Sequence, residues 1–287
     1  MRIKGYLLIM CAALLWGIIG PISKLIFSEG VQPLEVAFWR AALAWLFFGT
    51  HAAFKRQLVI RKQDLPLVTV FSFFGVAVFF GSYQLAVESG GAALAAVLLY
   101  TAPAWVGLMS RIFFKERLTW SKLAALVLTI AGIVLISTGH GTSGQPSVNI
   151  SSEAVLFGLL AGFSYSLYYI FGKHFSNRYS SPTLFTYMLP VGALCILPWV
   201  QFSRFSPTVW LAMMCIAFFC TYGAYYCYYA GLKYLEATRA AITATLEPVI
   251  ASVVAFLWWG ESFTSYGYIG SSFILFSVLL IIIESRQ

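Results

Sequence analysis

Long apolar runs follow one another along the chain, separated by short stretches where charged and turn-forming residues collect. A bilayer core of about 30 Å takes roughly 20 residues of α-helix. The runs fit that length ten times: Gly5 to Phe27, Glu35 to Phe54, Leu65 to Val87, Gly91 to Phe113, Ser121 to Thr138, Glu153 to Lys173, Thr183 to Phe202, Pro207 to Gly231, Ala237 to Trp259 and Thr264 to Glu284. In lipid every backbone amide must be satisfied within the protein, which leaves helices or a closed barrel. Barrel strands would be shorter and would alternate in polarity, and no such alternation is present. The predicted fold class is all-α, a polytopic membrane protein with ten transmembrane helices.

Composition agrees: 60% of the 287 residues are hydrophobic and 10% charged, against about 45–50% and 25% in soluble domains. The apolar run after Arg2 and Lys4 is too long for a secretory signal and no small-x-small site follows it, so it reads as an uncleaved first span. The five cysteines lie inside apolar segments, so neither a disulfide framework nor a metal cluster is expected, and no cofactor is implied. Fifteen of the 18 Lys and Arg residues fall in loops on one side and at the termini, while Lys24 and Arg204 lie on the other side and Arg40 within a span. That asymmetry places both termini in the cytoplasm. It also accounts for the net charge of +8 without a nucleic-acid partner.

The halves repeat. At an offset of 149, Lys24 matches Lys173 and Pro33 matches Pro182; at 145, Tyr83 matches Tyr228, Pro103 matches Pro248, Glu116 matches Glu261 and Thr119 matches Thr264. The expected domains are a five-helix repeat over 1–139, an outer connector over 140–152 and a second repeat over 153–287. The connector includes a glycosylation-like Asn149-Ile150-Ser151, a weak match. Five spans per repeat is an odd number, so the second copy enters the membrane from the opposite side. Such inverted repeats recur in secondary transporters.

Trp16-Gly17, Pro33 with Phe38-Trp39-Arg40, the stretch Phe113-Phe114-Lys115-Glu116-Arg117-Leu118-Thr119-Trp120, and Trp258-Trp259-Gly260-Glu261-Ser262-Phe263-Thr264 resemble the EamA-type branch of the drug/metabolite transporter superfamily. The resemblance implies an inner-membrane carrier, often an exporter of amino acids or related metabolites. It also implies a central cavity lined by the first four helices of each repeat, with the fifth helices peripheral.

Charge inside a span is costly and marks function by default. Glu247 lies about ten residues, hence roughly 15 Å, into the ninth helix and is the candidate for proton coupling or for anchoring a substrate ammonium; a structural hydrogen bond at the Pro248 kink is the alternative. Arg40 could hold a carboxylate, snorkel outward, or pair with Glu35 or Glu247. Together the two would suit a zwitterion. Tyr222, Tyr225, Tyr226 and Tyr229 recur at i, i+3, i+4, i+7, one helical face, and with Trp16, Tyr83, Tyr100, Tyr165 and Tyr169 they are candidates for an aromatic cavity or for ordinary packing. Arg239, Thr243 and Glu247 share a spacing of four, which suggests a polar path from the cytoplasmic end. Pro103 and Pro248 are candidate hinges, Glu116 and Glu261 loop anchors, and the three histidines have no assigned role. The expected partners are a small solute, lipid and protons, in a monomer or weak homodimer. The expected activity is secondary transport, most often export of an amino acid, with an organic-cation exporter as the alternative. No motif of a membrane enzyme is present.

Overall fold

The computed structural model describes residues 2–138, 151–259 and 265–284, and among them every regular element is helical. The expected Glu261 anchor, the sequon at Asn149 and Ile150, and most of the connector lie outside the described residues.

The first span comprises α1 (Arg2–Gly17) and α2 (Ile19–Ser28). They part at Ile18 because Pro21 has no N–H for the Gly17 carbonyl and its ring crowds that oxygen. Next come α3 (Pro33–Phe54), α4 (Leu65–Ser72), a π-helical segment Phe73–Val78, α5 (Phe79–Leu99), α6 (Ala102–Phe114) and α7 (Trp120–Thr138). The second half holds α8 (Ser152–Phe175), α9 (Ser181–Ile196), α10 (Pro207–Cys215), a second π-helical segment Ile216–Gly223, α11 (Ala224–Leu232), α12 (Ala237–Ala244), α13 (Glu247–Trp259) and α14 (Ser265–Glu284). Serine N-caps open three of these: the Ser151, Ser180 and Ser206 hydroxyls accept from Ala154, Thr183 and Val209 N–H, satisfying donors the helix leaves free.

Among the described residues, eight helices are long and apolar enough to cross a membrane, and Trp120–Ile136 is a shorter apolar helix. The tenth, α3, is diluted by Glu35, Arg40 and His51. Large apolar side chains such as Leu211, Val127, Leu156 and Leu194 stand exposed on the outside, which water would not tolerate in such number and lipid does. The core is aromatic, with Trp16, Tyr168, Tyr169, Phe185, Tyr225 and Tyr228 buried together.

Three features depart from ten uninterrupted spans. No loop separates the third and fourth: helical structure runs on from Phe79 to Leu99. Yet Phe79 stacks on Tyr165 and Leu98 packs against Gly158. A straight helix would put Phe79 and Leu98 about 28 Å apart, whereas Tyr165 and Gly158 are only about 10 Å apart along α8. So α5 bends back on itself. The expected fourth and ninth helices are broken midway, at Tyr100-Thr101 and at Thr245-Leu246. The seventh ends at Ile196, and Pro198 lies in a 3-10 turn, Leu197–Trp199. Pro190 does sit inside α9; the Thr186 carbonyl it frees accepts the Trp45 indole N–H at 3.0 Å.

Corresponding helices of the two halves lie antiparallel. Along α7 and α14, Thr119 bonds Glu284, Thr129 bonds Ser277 and Gly132 meets Gly270, so one number rises as the other falls. Along α3 and α9, Gln57 meets Thr183 and Phe48 stacks on Phe185. The breaks and π segments also correspond. Residues 73–78 and 100–101 map at the offset of 145 onto 218–223 and 245–246, within Ile216–Gly223 and at Thr245-Leu246.

Candidate functional site

Both breaks have one cause, a proline three residues on. Pro103 and Pro248 cannot donate to the carbonyls of Leu99 and Ala244, and each disfavours helical backbone at the residue before it. The ladder slips to i→i−3 at Thr101 N–H to Leu98 O, 3.2 Å, and Thr245 N–H to Ile242 O, 3.2 Å. The Thr101 and Thr245 hydroxyls donate to the same two carbonyls, each at 2.6 Å, meeting part of the demand the break creates. The candidate hinges thus sit where helices are already divided.

Glu247 is the first residue of α13. A carboxylate is favoured at a helix N-terminus, which offsets part of the roughly 2.5–3.5 kcal/mol that an acid costs at mid-membrane. The Tyr100 and Tyr165 side chains lie near it, and the Arg40 charge acts on it. Tyr83 is near enough to feel its charge. Deep as it lies, Glu247 keeps part of its surface exposed, as do Tyr83, Tyr100, Tyr165 and Arg40. These side chains lie close enough together for the charges of Arg40 and Glu247 to act on one another.

Arg40 donates from Nε to Thr221 Oγ1 at 2.8 Å, and Thr221 donates to Ile216 O, five residues back, at 3.0 Å. The π segment therefore presents Thr221 to Arg40. Nothing in the apolar pattern marks that segment, and Thr221 is the residue sequence reasoning missed. Among the described residues no ion pair joins Arg40 to Glu247 or to Glu35. Glu35 instead accepts from Ser203 N and Oγ at 2.8 and 2.7 Å and pins the loop before α10. Arg40 is held by Thr221 rather than snorkelling, and its charge acts on Glu247.

A cluster of packed rings lies near Glu247. Tyr169 donates to Tyr165 at 3.4 Å, Tyr168 stacks on Tyr225 at 5.6 Å, and Trp16 lies 5.3 Å from both Tyr225 and Tyr228. Tyr229 is buried beside Phe185. Tyr222 and Tyr226 do not join them: Tyr222 hydrogen-bonds His51 at 2.6 Å, and Tyr226 is 45% exposed. At 100° per residue the four tyrosines span about 100°. Tyr225 and Tyr229 hold the inward edge, where Tyr228 continues, while Tyr222 and Tyr226 hold the outward one. The polar path from Arg239 is closed as well. Arg239 is tied to Glu236 and Glu284, and the Thr243 hydroxyl donates back to the Arg239 carbonyl at 2.8 Å.

Two broken spans meeting at a part-exposed acid are the arrangement of a transporter site. The model of the EamA-like transporter family matches twice, over residues 3–138 and 152–283. The chain belongs to the EamA-like transporter family. An archaeal relative from Archaeoglobus fulgidus, named an uncharacterized transporter, is 30% identical over 92% of both chains. The uncharacterized inner membrane transporter YicL of Salmonella typhimurium is 26% identical over 99% of this chain and 97% of its own. A solved crystal structure superposes with a TM-score of 0.86 at 18% identity, covering 100% of this chain and 99% of the other, which shows the fold. This EamA-like transporter is thus a multi-pass membrane protein built on a duplicated helical unit.

Proposed function

We propose that the protein is a secondary transporter that carries a small zwitterionic solute, an amino acid or related metabolite, outward across the inner membrane by alternating access. Both termini lie in the cytoplasm in this reading. The observation that carries it is that Arg40 and Glu247 lie near one another with no ion pair joining them among the described residues, Arg40 being held by Thr221 and Glu247 lying beside Tyr100 and Tyr165. A free ion pair would collapse; held apart, the two charges suit a solute with a carboxylate at one end and an ammonium at the other. Glu247 is also the group that protons would reach, which makes it the coupling residue. The aromatic floor favours a second reading, export of a lipophilic organic cation through cation–π contact, in which Glu247 serves and Arg40 does not.

Flux in proteoliposomes of a labelled amino-acid panel and an organic-cation panel, with and without an imposed pH gradient, separates these. Saturable amino-acid flux is expected, with Arg40→Gln raising KM about tenfold, the loss of one charge-assisted bond, and Glu247→Gln removing the pH-driven part. Cation flux indifferent to Arg40→Gln selects the second reading. Absence of saturable flux for every solute sinks both, and pH-driven flux that survives Glu247→Gln ends the coupling role.

A further inference from the structure

We propose that the loop Lys233–Glu236, with the side chains of Glu116, Lys122, Lys173 and Arg239 that hold it, is the gate on the basic side of the membrane, closed in this structure. The inference rests on the alternating-access reading and names the contacts that must open.

The loop joins α11 to α12, about 15 Å from Glu247 along the broken ninth span. Glu116, from the first half, accepts from Ala237 N at 2.8 Å, Thr238 N at 3.3 Å and Thr238 Oγ1 at 2.8 Å, so it caps α12 of the second half. Lys122, also from the first half, reaches Glu236 at 2.7 Å and is 1% exposed. From the other side, the Lys173 ammonium donates to the carbonyls of Leu232 and Leu235, closing the end of α11. Arg239 binds Glu236 at 2.7 Å and Glu284 at 3.1 Å, and Thr119 donates to Glu284. Side chains that follow α6 or lie in α7, α8 and α14 thus converge on the stretch Leu232–Arg239.

One cap would suffice to end a helix. Four charged groups around one short loop, two of them reaching it from the other half, do more. Burying charges for stability alone gains little, since apolar packing of equal volume usually serves as well. Polar contacts differ in that water can replace them without exposing apolar surface, which a contact made and broken in each cycle requires. Glu116, Lys173 and Glu236 already line a cleft of about 580 Å3 on that face. The repeat adds an independent argument. Glu116 and Thr119 recur as Glu261 and Thr264, and Lys173 recurs as Lys24. An acid, a threonine and a lysine that each recur in the other copy are what a two-gate cycle needs.

The test needs no solute, so it can fail while the transport reading stands. In a protein lacking its native cysteines, Phe79→Cys, beside Tyr165, reports access to a membrane-impermeant maleimide in sided membrane vesicles, with protease access to a C-terminal tag reading the side. Slow labelling from the basic side is expected. Glu116→Gln should raise that rate about tenfold and lower labelling from the other side, while Glu116→Asp restores much of the closure. A purely structural cap would leave the ratio of the two rates unchanged, and that result overturns the proposal, as does an equal rise from both sides. If Glu116→Gln does not fold, Glu236→Gln carries the same prediction and the same refutation.

Discussion

Gly162 lies where α8 crosses the first break, and Gly162→Ala tests whether that close approach is real. A Cβ there would fall 2.5 Å from the Leu98 carbonyl oxygen, 2.7 Å from Thr101 Oγ1 and 3.1 Å from the Leu99 carbonyl oxygen. Ordinary contact begins near 3.4 Å, so α8 must retreat by nearly an ångström. Carbonyls of the main chain cannot swing aside as a side chain can. Overpacking costs about 1–3 kcal/mol, and a gap of 0.5–1 Å opened along the rest of the seam forfeits a quarter to a half of each contact. The expected loss is about 2–3 kcal/mol. At roughly 2–4 °C per kcal/mol, the apparent Tm in detergent should fall by about 5–10 °C at a fixed scan rate. Gly49 and Gly20 have nothing within 4 Å, so Gly49→Ala and Gly20→Ala should hold or gain about 0.5–1 kcal/mol from helix propensity alone. Gly158→Ala, which meets Leu98 Cδ1 at 2.5 Å and the backbone-fixed Leu98 Cβ at 2.7 Å, should cost about as much as Gly162→Ala. A Gly162→Ala protein melting with the Gly49→Ala control would refute the crossing.

Three further outcomes are expected. Thr221→Ala removes the only hydrogen bond Arg40 makes among the described residues, so KM for a carboxylate-bearing solute should rise several-fold with little change in maximal rate, and Thr221→Ser should restore it; a loss of maximal rate with KM unchanged would contradict the positioning role. Partial burial pushes the Glu236 carboxyl up, but hydrogen bonds from Lys122 and Arg239 outweigh it and hold the group below the usual carboxylate range. A depressed carboxylate lends its stability above the unfolded pKa of about 4.3 and loses it as pH falls through the folded value, so wild-type Tm should drop more steeply than that of Glu236→Gln below about pH 4, and parallel curves would refute the clamp. Glu261→Gln, at the position equivalent to Glu116, should change the sided labelling of Phe79→Cys in the opposite sense, and a change of the same sign would break the two-gate scheme.

Spans, their approximate ends and the duplication were legible because each leaves a mark in one dimension: an apolar run, a cluster of basic residues, a matched Pro or Glu. Glu247 and Arg40 stood out because lipid makes charge conspicuous. What the pattern did not carry is set by geometry along a continuous helix. The π segments have apolar sequences like any other span, so Thr221 looked like one more small polar residue. The tyrosine periodicity located a face of α11 and missed which edge of it turns inward. Proline signalled a kink in the fourth and ninth spans. The prolines cause both breaks, while the threonine hydroxyls that bond the neighbouring carbonyls and the close approach of α8 at Gly162 are tertiary details that no local rule weighs.

The two halves share their mechanics and not their chemistry. Breaks, prolines and π segments correspond, yet Glu247 is answered by Ala102, Thr221 by Val76 and, at the other offset, Arg40 by Leu189 and Tyr165 by Trp16. A cycle that presents one cavity to either side needs similar moving parts at both ends, which favours keeping the breaks alike. A solute with distinct ends has no two-fold axis, so a symmetric pair of acids or of arginines would bind one end well and repel the other. Asymmetry confined to the cavity wall, on a scaffold that is otherwise duplicated, is therefore what transport of an oriented, two-ended molecule would select. It would also explain why the candidate substrate-facing residues had to be found one by one, while the candidate hinges announced themselves in pairs.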